Sequence, residues 1–434
     1  MGSPATIHSP DDGVLRVGWT GARGSVFRLA LITGFWSVLT LGFYRFWMKT
    51  RLRRYFWSSI RPGGHPLEYV GDPWEKLLGF FIAVVILTFY IGIVNLLLMF
   101  VSFSLFDGNF AGYLASVAGV VPLWFYARYR ARRYVLGRTR WRGVRFALEP
   151  GAWGYALRAL GHWALTLFSA GILWPRMTFY LEKYRTDRTW FGSARLHQGG
   201  TWLMLYRAAI PLGVTLASTA LWALWISVLD PILPALSVGW QDVLTNVRIT
   251  TSALADLQIV SPWRLWLLFP IFFGLIYSLI HYAYVSRRIM ACHKTADGIA
   301  FASALRPLRI ASILTFGNIL AYFILSIGVA LIMVLMVPLI GFEVLQDMAG
   351  IEEDLVFDLP RWFSIGGAVL LYFGIFLLWS VMHATFVTFP LMRHMAETLT
   401  LPQAEGLLRI SQRDRDDFAE AEGFSEALDL GAAI

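Results

Sequence analysis

Six stretches of this chain run for 20 or more residues without an Asp, Glu, Lys or Arg: 77–106, 108–127, 208–229, 265–286, 310–342 and 362–392. Ionisable side chains are costly at the centre of a bilayer. About 20 residues rising ~1.5 Å each cross its hydrocarbon core. The chain therefore reads as an all-α polytopic membrane protein with six transmembrane helices. The composition agrees: 57% of the 434 residues are hydrophobic and only 15% are charged, where a soluble domain carries about 25%. The 19 Trp suit a protein with two membrane–water interfaces, where indole rings collect.

Two further runs, 29–44 and 159–175, are shorter, with 16 and 17 residues. The placement of charge decides how they are threaded. If the six long runs cross and the two short ones return to the side they left, every Lys and Arg except Arg248, Arg264 and Arg361 falls on one side. Cationic residues in short loops favour the cytoplasm. That side is accordingly cytoplasmic, both termini lie on it, and the loop 343–361 with its six acids lies outside. The short runs are then re-entrant or interfacial helical segments. Each places a Gly before an aromatic and cationic patch: Gly42-Phe43-Tyr44-Arg45-Phe46-Trp47 and Gly171-Ile172-Leu173-Trp174-Pro175-Arg176. Gly and Pro weaken a helix at such points.

The polar links between membrane segments predict small cytoplasmic β-hairpins. In the first, Arg53-Arg54-Tyr55 leads through Gly63-Gly64 to Leu67-Glu68-Tyr69-Val70. In the second, 144–148 alternates apolar and polar residues, as a half-exposed strand does. A third, weaker copy runs from Lys183-Tyr184-Arg185 to Thr189-Trp190-Phe191-Gly192, and a fourth from Arg287-Arg288-Ile289 to Asp297-Gly298-Ile299-Ala300-Phe301. The chain thus reads as internally repeated. Its expected units are a cytoplasmic N-terminal segment (1–25), a first membrane repeat (26–150), a second (151–301), a third hairpin of two spans (302–400) and a polar tail (401–434). The first unit lacks the basic region and apolar core of a signal peptide.

Several of these pieces resemble one family. Thr20-Gly21, Gly24, Leu39-Thr40-Leu41-Gly42-Phe43-Tyr44, Phe46-Trp47, Lys49, Arg51, Arg53-Arg54-Tyr55 and Thr139-Arg140-Trp141-Arg142-Gly143 together look like the YjgN-like bacterial membrane proteins, a family of unknown function. The sequence Gly423-Phe424 followed by 427–431 is similar to that family's ending. The second short segment departs, with Leu173-Trp174-Pro175-Arg176 where the family has an aromatic pattern. The resemblance implies a bacterial inner-membrane location and brings no catalytic residues with it.

Candidate chemistry follows from charge and from polar residues in apolar runs. Arg51, Arg53, Arg54, Arg128, Arg132 and Arg133 form the densest cationic group. Guanidinium holds phosphate with two donors, which suits anionic lipid head groups or another anion. The alternative is a cluster that only sets orientation. Asn95, His162, His281 and Asn318 are polar groups within apolar runs, candidates to line a hydrated cavity. The alternative for each, as for His383, is packing or interfacial solvation. His162 stands out because its segment is short. No nucleophile elbow, phosphate loop or zinc helix is present. Neither a cofactor nor an enzymatic reaction is expected, and Cys292, the single cysteine, excludes an internal disulfide. The net charge of +9 suits anionic phospholipid on the cytoplasmic face rather than nucleic acid; self-association into a homo-oligomer stays open. Two functions remain: a transporter or channel-like protein for a small solute, or a non-transporting envelope protein that binds anionic lipid or membrane partners.

Overall fold

A computed structural model describes residues 13–89, 92–93, 96–97, 99–100, 109–229, 266–340, 361–402 and 404–412. Helices alternate with short strands along the chain. Strand β1 (Leu15–Trp19) precedes helices α1 (Arg23–Leu39) and α2 (Arg45–Ser59). Strands β2 (Ile60–Pro62) and β3 (Leu67–Tyr69) lead to α3 (Pro73–Phe89) and α4 (Asn109–Gly137). A hairpin, β4 (Thr139–Trp141) and β5 (Val144–Leu148), precedes α5 (Ala152–Phe168) and α6 (Trp174–Thr186). A second, β6 (Thr189–Phe191) and β7 (Ala194–Gln198), precedes α7 (Tyr206–Leu229). After α8 (Leu268–Cys292) come β8 (Lys294–Ala296), β9 (Ile299–Ala300) and β10 (Ala302–Ser303), then α9 (Pro307–Ile340). Helix α10 (Arg361–His383) passes through a π-helical turn, Ala384–Thr388, into α11 (Phe389–Glu397) and β11 (Leu399–Leu401).

The strands organise the molecule. They pair antiparallel in two sheets of order β10-β11-β1-β2 and β3-β4-β5-β6-β7-β8-β9. The chain joins the sheets at both ends, β2 running into β3 and β9 reaching β10 across Phe301. The strands therefore run in a ring that is hydrogen-bonded strand to strand except at these two joins, which the chain alone bridges. One apolar cavity inside it is lined by residues of every strand but β10. Period-two alternation sorts the side chains: Leu15 and Val17 line the cavity, while Arg16 between them does not. Register follows the turns. Arg142-Gly143 and Asp297-Gly298 both have positive φ (52° and 80°, 44° and 83°), the geometry of a two-residue hairpin turn whose twist matches the strands it joins.

The two short apolar runs reverse direction in the same way. At the end of α1, Gly42 N–H donates to Ser37 O at 2.7 Å and Leu41 N–H to Val38 O at 3.0 Å. At the end of α5, Gly171 N–H donates to Thr166 O at 2.8 Å and Ala170 N–H to Leu167 O at 3.0 Å. These paired bonds close a helix C-terminus with one residue in the left-handed region, here Leu41 and Ala170. The Thr40 and Ser169 hydroxyls then accept from the Tyr44 and Leu173 amides, opening the return helices. The tips are apolar and exposed: Leu41 is 58% accessible, Phe43 51%, Ile172 67% and Phe168 91%.

The expectation of an all-α fold with six transmembrane helices is corrected. Among the described residues, four helices are long and apolar enough to cross a membrane, at Trp202–Trp225, Leu268–Cys292, Pro307–Leu331 and Leu371–Glu397. The strands, arranged as two sheets, make the architecture mixed. Counting charge-free residues measures apolar length alone. It cannot register strands of two to five residues that pair with partners in distant links. These helices pack as α7 against α8 and α9 against α10. Gly317 lets α9 reach the π turn, since a Cβ there would lie 2.6 Å from Phe386 O.

Gly171 has φ of 85° with open space around its missing side chain. Gly171→Ala is expected to destabilise by about 1–2 kcal/mol through backbone strain alone. Gly24→Ala, within α1 and equally uncrowded, is expected to stabilise by up to about 1 kcal/mol. Unfolding of both variants in detergent measures the pair.

Candidate functional site: a cationic cleft beside the first helical hairpin

Helix α2 carries Arg45, Lys49 and Arg53 at a spacing of four, which aligns them on one face. That face forms one wall of a cleft of about 1020 Å³. Lys76, from the first turn of α3, and Arg128, from α4, add two more cations. Aromatic rings hold several of these side chains. Arg53 lies 5.2 Å from the Tyr69 ring centroid and donates to the Tyr69 hydroxyl at 3.3 Å. Lys76 Nζ lies 5.1 Å from the same ring and 5.9 Å from that of Tyr134. Arg128 lies 5.3 Å from the Trp124 ring. Burial, together with the nearby Arg185 and Arg287, pushes the Arg128 guanidinium below its ordinary value. A bound anion would relieve that crowding of like charge.

The rest of the cleft is apolar. Leu41 and Phe43 at the hairpin tip face Phe373, Phe376 and Leu377 of α10. His383 and Thr388, which flank the π turn, also line it, with His383 Nδ1 3.3 Å from Thr388 Oγ1. The same two residues border the cavity inside the strand ring. Single π turns inside helices recur at functional sites.

The second hairpin builds something different. Glu182 of α6 stands at the same remove from Gly171 as Arg53 does from Gly42. Its carboxylate meets Lys294 Nζ at 2.6 Å, Arg185 Nη2 at 2.6 Å and Arg132 Nη2 at 3.8 Å. Burial pushes the carboxyl up, but Lys294, Arg185 and Arg132 together override it and hold it well below the usual carboxylate range. This cluster ties α4, α6 and β8 together.

The predicted arginine group is therefore divided. Arg53 and Arg128 line the cleft; Arg132 pairs with Glu182. Arg51 is exposed and stacks on Tyr44 at 5.7 Å, Arg54 donates to Gly71 O at 3.0 Å, and Arg133 is half-buried. Of the polar candidates, Asn95 lies outside the described residues. His281 Nδ1 meets Ala208 O at 3.2 Å, joining α8 to α7. Asn318 donates to Leu314 O in its own helix at 2.7 Å. His162 stacks on Tyr180 and meets Arg176 at 3.3 Å. Burial, then Arg176 and Arg158, push its imidazole below its ordinary value. These three line neither cavity; His383 lines both. Arg45, Lys49 and Lys76 were missed, although the four-residue spacing from Arg45 to Arg53 was a readable signal. Lys76 gave none, since its burial depends on tyrosines from β3 and α4.

Fold and site together define a membrane-type protein in which apolar helices rise from a ring of strands beside a cationic, aromatic-walled cleft. The chain belongs to the DUF898 family, bacterial proteins of unknown function, whose family model matches residues 14–338; the YjgN-like resemblance refers to this same family. No curated protein and no solved structure matches the chain.

Glu182→Gln is expected to cost about 3–5 kcal/mol at pH 7, because three cations lose their buried counter-charge. A carboxyl depressed by folding stabilises above its unfolded pKa, and that contribution is lost as pH falls through the folded value. The gap between wild type and variant should therefore narrow below about pH 4. Denaturation in detergent at both pH values checks the sign.

Proposed function

We propose that this protein is a multi-pass protein of the bacterial inner membrane that binds an anionic lipid of the cytoplasmic leaflet in the cleft beside its first hairpin. The observation that carries the reading is the gradient along that cleft. Leu41 and Phe43 line it at the hairpin tip with Phe373 and Phe376, and Arg45 stands just beyond them; Lys49 and then Arg53 follow about 6 and 12 Å further along α2, where Arg53 and Lys76 share the Tyr69 ring and Arg128 adds a further cation to the lining. A phospholipid has the matching gradient, phosphate at one end and hydrocarbon at the other. Guanidinium forks suit the phosphate. The volume lies at the upper end of the ~300–1,000 Å³ usual for ligand pockets. The cationic strand links support a cytoplasmic ring with both termini on that side. The exposed apolar tips at Leu41–Phe43 and Phe168–Ile172 support hairpins that dip into lipid without crossing.

The matched turn geometry of the two hairpins supports an internal duplication. In that reading the first copy kept its cations for a ligand. The second took a carboxylate at the position of Arg53 and became structural. Passage of a polar solute is the weaker function, because the ring cavity, with its mostly apolar lining, offers a solute few hydrogen-bond partners.

The test separates the cleft from general surface charge. Purified protein is exchanged into phosphatidylcholine nanodiscs containing phosphatidylglycerol, and retained lipid is counted by native mass spectrometry. Arg53→Gln with Arg128→Gln should lower phosphatidylglycerol retention at least tenfold, since each charge-assisted bond contributes about 1.5–3 kcal/mol. Arg51→Gln with Arg54→Gln, outside the cleft, should leave it within twofold. Equal losses from the two pairs, or none from the first, would remove the reading.

A further inference from the structure

The cavity inside the strand ring holds about 630 Å³ and is a different chamber from the cleft. Val17, Phe146, Phe191, Leu196 and Leu401 project into it from five strands. Met392 and Met395 of α11 and Leu314 of α9 line it from the helices. Only a few polar residues reach it: Thr388 and His383 at the π turn, and Tyr284 with the exposed Arg287 from α8. Arg287 lies 5.1 Å from the Tyr284 ring.

A strap crosses the ring. Ala404 N–H donates to Gly13 O at 2.9 Å beside β1. At the far end, Ser193 N–H donates to Ser411 O at 2.9 Å and Arg145 N–H to Gln412 Oε1 at 2.8 Å. Between these anchors the 3₁₀ turn Ala404–Arg409 and the residue after it turn Leu407 and Ile410 into the cavity. Gly406 allows the crossing, since a Cβ there would meet Ile299 at 2.9 Å.

An apolar chamber of this size has consequences. Water inside it would find few partners, and an engineered apolar cavity of ~150 Å³ is already large enough to take up benzene. At about 30 Å³ for each heavy atom, the share of one water molecule in the liquid, the space matches about twenty atoms. A single alkyl chain of sixteen to eighteen carbons with its carboxylate has that many; a two-chain phospholipid has far more. The ring also closes around the space, which admits one chain more readily than two. The lining gives an alkyl chain apolar contact from the strands and from α9 and α11, and its methionines adapt to a flexible guest. Among the described residues, the exposed guanidinium of Arg287 supplies the one full positive charge in the lining.

We infer that the ring cavity is a binding site for one long-chain fatty acid, the alkyl chain held inside the strands and the carboxylate at Arg287, with the strap 404–412 as its cover. The inference stands apart from the lipid reading of the cleft, since Arg287 and the strand residues line the ring cavity and not the cleft, although His383 and Thr388 border both spaces.

The test uses the full chain in phosphatidylcholine nanodiscs and palmitate carrying a diazirine at its terminal carbon, with cross-links mapped by mass spectrometry. Labels should fall on ring-lining peptides, those with Phe146, Phe191 or Met392, and oleate should compete for them. Leu196→Trp, which fills the chamber, should reduce labelling at least fivefold. Arg287→Gln, at the exposed rim where folding is not at stake, should weaken oleate competition about tenfold. Arg53→Gln should leave labelling intact while it lowers phosphatidylglycerol retention, so the two sites succeed or fail separately. Labels scattered over helix surfaces would overturn the inference. So would competition by phosphatidylglycerol as strong as that by oleate, which would give the chamber to a phospholipid tail. Labelling indifferent to both Leu196→Trp and Arg287→Gln would do the same.

Discussion

The structure depends on how the short links between apolar helices satisfy their backbone hydrogen bonds. Each link contributes strands of two to five residues, too short to be stable alone or as an isolated hairpin. Left unpaired at a sheet edge, their N–H and C=O groups would recruit other chains. Pairing link to link around a circuit removes most of that edge. It also fixes where helices enter the ring, since α2, α4, α6, α8 and α11 each end within three residues of a strand. The first and last described segments become neighbours for the same reason: β1 pairs with β11, Leu15 opposite Leu401. The chamber within the ring and the strap across it are consequences of that closure.

Two helical hairpins with one backbone geometry then carry opposite chemistry. The turn at Leu41-Gly42 and the turn at Ala170-Gly171 share their hydrogen bonds and their positive φ values. Beyond them, α2 presents Arg53 to a cleft, while α6 presents Glu182 to three cations. A carboxylate in that position neutralises charge that an open cleft would hold for a ligand. The first hairpin sets Arg53 against aromatic rings, where cation–π contact offsets part of the cost of burial.

Much of this was legible in the sequence, and the remainder had identifiable reasons for being hidden. Gly42 and Gly171, each ahead of an aromatic and cationic patch, stand where α1 and α5 end, and both have positive φ, a conformation for which a glycine is the local signature. Val144–Leu148 announced its strand by alternation. The pairing of β1 with β11 did not, since it joins residues nearly a chain length apart and neither strand alone has a pattern long enough to read. Six charge-free runs overstated the spans, because apolar length and helical passage through a membrane are different quantities. Arg53 and Arg128, which line the cleft, stood in the densest cationic group of the sequence, whereas Lys76 became a cleft residue only through the positions of Tyr69 and Tyr134. Glu182 was invisible as a hub for the same reason, its partners coming from α4 and β8.

The closed ring is the central claim, and the register of β1 on β11 tests it most directly. Arg16 and Thr400 face each other across that pair, where opposed Cα atoms lie about 4.5–5.5 Å apart, within the ~4.4–6.8 Å that a disulfide bridges. In a Cys292→Ser background, Arg16→Cys with Thr400→Cys should cross-link on mild oxidation in membranes and give a reductant-sensitive shift in gel mobility, while Arg16→Cys with Leu399→Cys should not. Failure of the first pair to cross-link, or equal cross-linking by both, would mean that the strands do not close as a ring.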